Sequence, residues 1–238
     1  MSRPDPHSSS DSRNPDRVFA IVGAGGLGGP IAYALAAAGA RGLIICDDDQ
    51  VDLSNLQRQV QFTTTDIGKD KVTALRDELL RRGYPGDQVS ALKQRFTPAN
   101  AASIIGEADV VIDGSDNFAT KFAVNDACVA DDKLCVIGGV LRYGGQVARV
   151  IPGRGGCYRC LFEEPPADDD AQSCATAGVL GASVAVIAGY AAQTAITIQR
   201  EQESGLVVVD DTRILGEPRR ISYHSRPDCM VCAAKEAA

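Results

Sequence analysis

The chain has 238 residues, of which 45% are hydrophobic and 23% are charged, and its net charge at pH 7 is −7. This length allows one large α/β domain or two small ones, with a buried core. The acidic balance argues against non-specific nucleic-acid binding, and no apolar run reaches the ~18 residues of a membrane span. The N-terminus also lacks the apolar stretch of a secretory signal, so we expect a cytoplasmic protein that binds neither nucleic acid nor a membrane.

Residues 1–16 are rich in Ser, Pro, Asp and Arg, and we predict a disordered tail there, followed by one domain over residues 17–238. Beyond the tail, short apolar runs alternate with longer helix-like stretches. We predict strands at 18–22, 43–46, 89–92, 109–113, 134–137, 145–151, 206–209 and 220–223, and helices at 27–39, 67–82, 118–130 and 178–199. This alternation predicts a Rossmann-like α/β fold, which is an open, mainly parallel twisted sheet with helices on both faces and late antiparallel strands.

A glycine-rich turn of the pattern GxGxxG follows the first predicted strand and opens the first predicted helix. In that context, bare backbone can approach a phosphate and the helix N-terminus favours negative charge. Asp47 ends the second predicted strand, where a carboxylate can accept hydrogen bonds from ribose hydroxyls. The pattern indicates a nucleotide without naming it, and by itself it favours NAD or FAD. The glycines are Gly23, Gly25, Gly26 and Gly28.

Polar side chains continue after Asp47 and reappear after the strand that ends at Asp113. Because the carboxyl ends of parallel strands meet at one crevice, we expect these side chains to share a pocket. Several cations and carboxylates suit a triphosphate with Mg²⁺ better than a dinucleotide. A solvated helix lysine and a helix N-cap are the plain alternatives for Lys71 and Asp116. The polar side chains are Asp49, Asn55, Arg58, Gln59, Lys71, Asp116 and Asn117.

Eight cysteines in a reducing compartment point to metal ligands or catalysis before disulfides. Two CxxC pairs predict a closed, structural Cys₄ zinc site that ties the C-terminal region to the middle of the chain. The alternatives are one redox CxxC or a chance occurrence of the two pairs. Cys174 precedes the last predicted helix, whose N-terminus would favour a thiolate, so it is either a reactive or an inert loop thiol. The paired cysteines are Cys157, Cys160, Cys229 and Cys232.

Several longer motifs occur along the chain. They are GAGGLGGP, DDDQVDLSNLQRQ, GKDKV, DGSDNFATK, the two CxxC pairs and SCATAGVLG. Together they resemble the ThiF/MoeB/HesA family, relatives of the ubiquitin-activating enzymes, over residues 17–232. The resemblance implies ATP-dependent adenylation of the C-terminal glycine of a small ubiquitin-like sulfur-carrier protein ending in Gly-Gly. This step releases pyrophosphate and prepares the carrier for thiocarboxylate formation. The resemblance also implies a homodimer and a structural zinc.

Roles for single residues follow from the same resemblance. Asp47 matches the ribose-binding aspartate, Asp49 a second acidic position in the same turn, and Asp116 the magnesium-associated aspartate central to adenylation. Cys174 matches a cysteine that takes part in sulfur transfer or an acyl-linked intermediate. The glycine loop matches the nucleotide loop, and the CxxC cysteines match the zinc ligands. The phosphate-handling positions are Asn55, Arg58 and Lys71.

Two departures from the family pattern qualify this expectation. The family's N-terminal RYxRQ segment, whose arginine reaches the ATP phosphates, has no clear match, and only Arg3, Arg13 and Arg17 stand in that region. No rhodanese-like domain follows Cys232, so we expect a separate sulfur donor. Three alternative functions stay open. They are adenylation of another acyl group or peptide C-terminus, a non-catalytic partner subunit, and an NAD-dependent oxidoreductase.

Overall fold

One eight-stranded sheet, in the order β3-β2-β1-β4-β5-β6-β7-β8, forms the centre of the computed structural model. The structure describes residues 16–164, 178–214 and 216–233. Strands β1 to β5 pair in parallel, whereas β6, β7 and β8 join as antiparallel strands. The strands are β1 (Val18–Val22), β2 (Gly42–Cys46), β3 (Val89–Leu92), β4 (Val110–Asp113), β5 (Leu134–Leu141), β6 (Gly144–Val150), β7 (Gly205–Val209) and β8 (Arg219–Ser222).

Helices cover both faces of the sheet, because alternate residues of each buried strand point to opposite sides. Phe19 and Ile21 pack into the cluster that contains α1, α2 and α6, whereas Ala20 and Val22 pack against α3, α4 and α5. The predicted fold class is therefore confirmed. The helices are α1 (Gly28–Ala37), α2 (Lys71–Arg81), α3 (Ala101–Ile105), α4 (Phe118–Ala130), α5 (Tyr158–Leu161) and α6 (Gly181–Thr197).

Helix α2 begins later than the predicted residue 67. Thr64–Asp66 forms a separate 3₁₀ turn, and Gly68 adopts a φ of +84°, which interrupts helical geometry. Asp70 then bridges to Gln50, so the helix starts at Lys71. This boundary places Lys71 in the first turn of α2, directly beside the turn that follows β2.

Three other differences come from tertiary contacts. Strand β5 continues through Gly138 and Gly139 to Leu141, because β6 pairs with it along that length. The short helices α3 and α5 were absent from the sequence prediction, and each has too few residues for a clear period.

No helix in the described ranges is both long and apolar enough to span a bilayer.

The parallel strands bring the predicted site residues to one edge of the sheet. Val22, the last residue of β1, pairs with Cys46 of β2 on one side and with Asp113 of β4 on the other. The chain therefore leaves these three neighbouring strands at the same edge. The glycine loop follows β1 and lies between the acidic turn after β2 and the Gly114–Asn117 loop after β4.

Candidate active site

A cleft of about 730 Å³ opens at the carboxyl edge of the parallel strands. Its polar part is formed by the glycine loop, the turn after β2, the start of α2 and the loop after β4. Its other part is apolar and is formed by residues of β5 and β7 and by Phe162 and Val179. The sequence-predicted residues on its wall are Gly23, Gly25, Gly26, Asp47, Asp49, Arg58, Gln59, Lys71, Asp116 and Asn117.

The glycine loop needs glycine at two positions for different reasons. Gly23 has a φ of +95°, and its N–H donates to the Cys46 carbonyl at 2.8 Å. A Cβ on Gly28 would collide with the Gly23 carbonyl oxygen. Gly28 is absent from the described cleft wall, so it contributes close packing of α1 on the loop, whereas Gly25 and Gly26 present backbone to the cleft.

Asp47 holds the glycine loop and the acidic turn together. Its Oδ2 accepts a hydrogen bond from Ala24 N at 2.6 Å, and its Oδ1 accepts one from Asp49 N at 2.8 Å. Burial raises the pKa of Asp47, and these hydrogen bonds and the nearby Lys71 oppose that shift. A carboxylate has about four acceptor positions, so two remain for hydroxyl groups of a ligand.

Lys71 is buried at the cleft wall, so it is not the solvated helix lysine of the alternative interpretation. Its side chain is 7% exposed, and its Nζ donates to Asp49 Oδ2 at 2.7 Å. Its backbone N–H also donates to the Asp49 carbonyl at 3.0 Å. An ammonium group has three donors, so this lysine keeps two for a bound anion.

Arg58 and Asn55 form a second cationic unit at the same wall. The Arg58 Nη2 donates to Asn55 Oδ1 at 2.7 Å. Arg58 lines the cleft, and Asn55 is absent from the described lining. Asn55 therefore orients the guanidinium, which retains further donors for phosphate oxygens. The sequence analysis assigned both residues to the phosphates. In the structure, Asn55 contacts Arg58 and is absent from the described cleft lining.

The two polar residues before α4 have different environments. Asn117 is the N-cap of α4, and its side chain accepts a hydrogen bond from Thr120 N at 2.8 Å. Asp116 is exposed at the cleft, and within the described part of the chain its carboxylate has no hydrogen bond or ion pair. The capping alternative therefore applies to Asn117, and the Asp116 carboxylate stays available to a ligand.

Three groups of the site were missed by sequence reasoning. Gln61 is buried, and its Nε2 donates to the carbonyls of Ala24 and Gly25 at 2.9 Å each. Lys121 lies on the cleft wall inside α4, where the sequence resembles that of an ordinary amphipathic helix. The segment after β3 adds Arg95 to the rim. Gln61 and Arg95 lie outside the quoted motifs, and Lys121 ends the motif DGSDNFATK without any sequence signal that its ammonium is buried. Only the tertiary fold brings these side chains to the site.

The paired cysteines form one compact cluster. Their four Sγ atoms all lie within 4.8 Å of one another, with Cys157 to Cys229 at 3.7 Å and Cys160 to Cys232 at 3.4 Å. A tetrahedral zinc with Zn–S bonds of about 2.3 Å requires sulfur separations of about 3.8 Å, so this donor set fits the ion. The backbone N–H of Arg226 donates to Cys160 Sγ at 3.3 Å, so this sulfur also has a hydrogen-bond donor outside the cluster.

The remaining predicted residues do not reach the cleft or cannot be located. Arg17 donates from Nη1 to the Ile198 carbonyl at 2.7 Å, and it is absent from the described cleft lining. Arg3, Arg13 and Cys174 lie outside the described residues. The other described cysteines, Cys46, Cys128 and Cys135, are buried, and Cys46 also borders the cleft.

Comparisons with known proteins agree with this geometry. The profile of the ThiF family matches residues 16–230. The chain is 37% identical over 225 residues to the sulfur carrier protein ThiS adenylyltransferase of Escherichia coli, covering 93% of this chain and 88% of that protein. It is 37% identical over 220 residues to a sulfur carrier protein adenylyltransferase of Thermus thermophilus, covering 89% and 80%.

Solved structures show the same fold at lower sequence identity. A crystal structure of Escherichia coli MccB with ATP superposes with a TM-score of 0.77 at 22% identity, covering 92% of this chain and 68% of that chain. A structure of PaaA gives a TM-score of 0.67 at 22% identity, covering 90% and 66%. From the matched profile and the two adenylyltransferases, we conclude that the chain belongs to the ThiF family.

Proposed function

We propose that the protein is an ATP-dependent adenylyltransferase that activates the C-terminal glycine carboxylate of a small ubiquitin-like sulfur-carrier protein. The observation that carries this proposal is the buried ammonium of Lys71, which keeps two free donors beside the glycine loop and Arg58. The names of the Escherichia coli and Thermus thermophilus relatives support the same activity. Thiocarboxylate formation then follows with sulfur from a separate donor.

In the proposed reaction, a carrier carboxylate oxygen attacks the α-phosphorus of ATP. A new C–O–P bond forms, the bond between the α-phosphorus and the bridging oxygen breaks, and pyrophosphate leaves with its electron pair. The carboxylate is already ionised at neutral pH, so no general base is required. The protein's task is to hold two anionic reactants in line and to offset their repulsion. Lys71 and Arg58 supply positive charge for the phosphates, and Asp47 binds the ribose.

The acidic side chains fit a magnesium ion on the proposed nucleotide. Mg²⁺ prefers carboxylate oxygens together with phosphate oxygens and water, and the unpaired carboxylate of Asp116 offers such a ligand. When bound, the ion neutralises phosphate charge and stabilises the departing pyrophosphate. Asp49 is a weaker candidate ligand, because one of its oxygens already accepts from Lys71.

A structural zinc at the cysteine cluster is the second metal we propose. The cluster joins the segment around α5 to the C-terminal segment that follows β8, and all four thiols are used. Burial raises the pKa of the Cys157 thiol to about 11, so a bound cation is needed to favour its thiolate at neutral pH. With four protein ligands, such an ion has no open position for substrate.

Homodimer formation remains part of the proposal. A subunit interface would cover exposed apolar side chains, and Leu53, Val60 and Val186 are 65%, 70% and 41% exposed. Analytical ultracentrifugation of the wild type and of Val60→Asp tests this. A monomeric wild type at micromolar concentration contradicts the homodimer.

Cys174 is proposed to act after adenylation, in sulfur transfer or in an acyl-linked intermediate. Cys174→Ser should therefore retain carrier-dependent ATP–pyrophosphate exchange and lose thiocarboxylate formation. Full thiocarboxylate formation by this variant, measured by intact mass spectrometry, contradicts the role.

The adenylation step is tested by carrier-dependent ATP–pyrophosphate exchange. Asp116→Ala should abolish exchange and leave the melting temperature unchanged, because Asp116 is exposed and makes no bond within the described part of the chain. Asp87→Ala is the matched control, since Asp87 is exposed in the 3₁₀ turn before β3, away from the carboxyl edge. Undiminished exchange in Asp116→Ala would overturn the assignment.

The same assay separates the alternative functions. Replacing the carrier by a short peptide tests activation of a peptide C-terminus. ATP binding without exchange for any acyl substrate indicates a non-catalytic subunit. Fluorescence titration with NADH tests the oxidoreductase interpretation, for which saturable binding to the cleft is required.

A further inference from the structure

Two buried lysines lie on the wall of the same cleft, and their hydrogen bonds differ. Lys71 has one side-chain partner, whereas the Lys121 ammonium has three. The Lys121 Nζ lies 2.7 Å from Asp113 Oδ2, 2.7 Å from the carbonyl oxygen of Ser115 and 2.6 Å from that of Gly138. Because an ammonium has three donors, Lys121 has none left for a phosphate.

The three partners of Lys121 belong to the end of β4, the loop that follows it and the interior of the neighbouring strand β5. Asp113 is the last residue of β4, Gly138 lies within β5, and Ser115 directly precedes Asp116. The bond to the Ser115 carbonyl fixes the peptide that links Ser115 to Asp116. Lys121 therefore ties the loop that carries Asp116 to the rigid sheet beneath it.

The Asp113 carboxylate completes this arrangement. It is fully buried, and its Oδ1 accepts from Ser115 Oγ at 2.6 Å, while its Oδ2 accepts from Lys121. The Lys121 side chain is 8% exposed, so the pair is largely shielded from water. The Asp113 carboxylate is thus neutralised in the core, whereas the Asp116 carboxylate faces the cleft unpaired.

We propose that Lys121 is a positioning residue that sets the direction of the Asp116 carboxylate toward the nucleotide without contacting phosphate itself. This inference rests on the proposed adenylation. A displacement of about 1 Å at a reacting group can reduce turnover by about a hundredfold, so loss of these bonds should affect kcat far more than the KM for ATP.

The test compares three variants with the wild type. Lys121→Arg keeps the charge but replaces a compact ammonium by a larger planar guanidinium, so it cannot match all three acceptors and exchange should fall. Lys121→Met alone leaves Asp113 charged and buried, so reduced folding is expected. The double variant Lys121→Met, Asp113→Asn removes both charges while keeping an acceptor for Ser115, and it should recover most of the melting temperature.

The double variant decides between positioning and simple structural support. Positioning predicts a near-native melting temperature, a KM for ATP within about threefold, and a kcat for exchange reduced about tenfold to a hundredfold. It also predicts faster hydrogen–deuterium exchange of the loop amides at 114–117. Native kcat in a stable double variant overturns the inference. A large rise in the KM for ATP overturns it as well, because that result indicates direct phosphate contact.

The wild-type measurement separates this inference from the proposed function. If the wild type catalyses no exchange with any carrier or peptide, the adenylation proposal fails, whatever the variants do. If the wild type is active and the stable double variant is equally active, adenylation stands and the role of Lys121 fails.

Discussion

Replacing Lys71 by methionine should remove most of the phosphate binding while preserving the fold. Methionine keeps a side chain of similar length in the buried position. The partner Asp49 is 67% exposed, so water can solvate its carboxylate once the ammonium is gone. We therefore expect the free energy of unfolding to fall by less than about 1 kcal/mol.

The effect on catalysis should be much larger. Lys71 has two free donors, and a charge-assisted hydrogen bond is worth about 1.5–3 kcal/mol. Loss of one such bond to a phosphate in the transition state corresponds to about a 10- to 150-fold decrease in kcat/KM for ATP. Lys69→Met is the matched control, because Lys69 is 52% exposed and pairs with Asp66 only three residues away.

Carrier-dependent ATP–pyrophosphate exchange across a range of ATP concentrations provides the measurement, with melting temperatures recorded for both variants. If Lys71→Met retains a kcat/KM for ATP within about twofold of Lys69→Met, Lys71 does not contact the phosphates and the reasoning fails. A large fall in the melting temperature of Lys71→Met would instead contradict the small loss of unfolding free energy that we expect from removing the ion pair with Asp49.

Three further predictions address the glycine loop, the zinc and the buried carboxylate. Gln61→Leu leaves the carbonyls of Ala24 and Gly25 without their donor, which should destabilise the glycine loop by about 1–3 kcal/mol. The KM for ATP should therefore rise. The control Gln57→Leu changes an exposed side chain and should leave the KM for ATP unchanged. Elemental analysis should find about one zinc per chain, lost in Cys229→Ser and kept in Cys128→Ser, whose thiol is also buried. Burial raises the pKa of Asp47, so the folded state holds that proton more tightly than the unfolded state. The melting temperature of the wild type relative to Asp47→Asn should therefore fall as the pH rises above the ordinary aspartate pKa of about 3.9, and an opposite slope contradicts this.

The glycine loop and the acidic turn could be predicted from sequence because their signals are local. The glycine pattern, the apolar run before it and Asp47 at a strand end lie on adjoining segments, and parallel pairing of β1 with β2 brings them together. The boundary of α2 was wrong because the predicted helix was extended back to Ile67, whereas Gly68 and the bridge at Asp70 interrupt helical geometry before Lys71.

Lys121 and Gln61 could not be predicted, for a different reason. Lys121 occupies an ordinary helix position, and only the packing of α4 beside the end of β4 and the interior of β5 buries its ammonium. Gln61 makes its bonds to a loop far away in sequence. Such contacts depend on tertiary distances, which neither periodicity nor motif spacing encodes.

The order of the strands arranges the proposed reaction along the cleft. Strand β1 lies between β2 and β4, so the glycine loop lies between Asp47 on one side and Asp116 on the other. A nucleotide with its ribose at Asp47 and its phosphates at the glycine loop therefore extends toward Asp116. Strands β5 and β7, on the far side of β4, form part of the apolar wall that an incoming peptide segment would follow. In the proposed reaction, the carboxylate of the acyl substrate and the α-phosphate would meet beside Asp116, on the loop that Lys121 holds through one of its three hydrogen bonds.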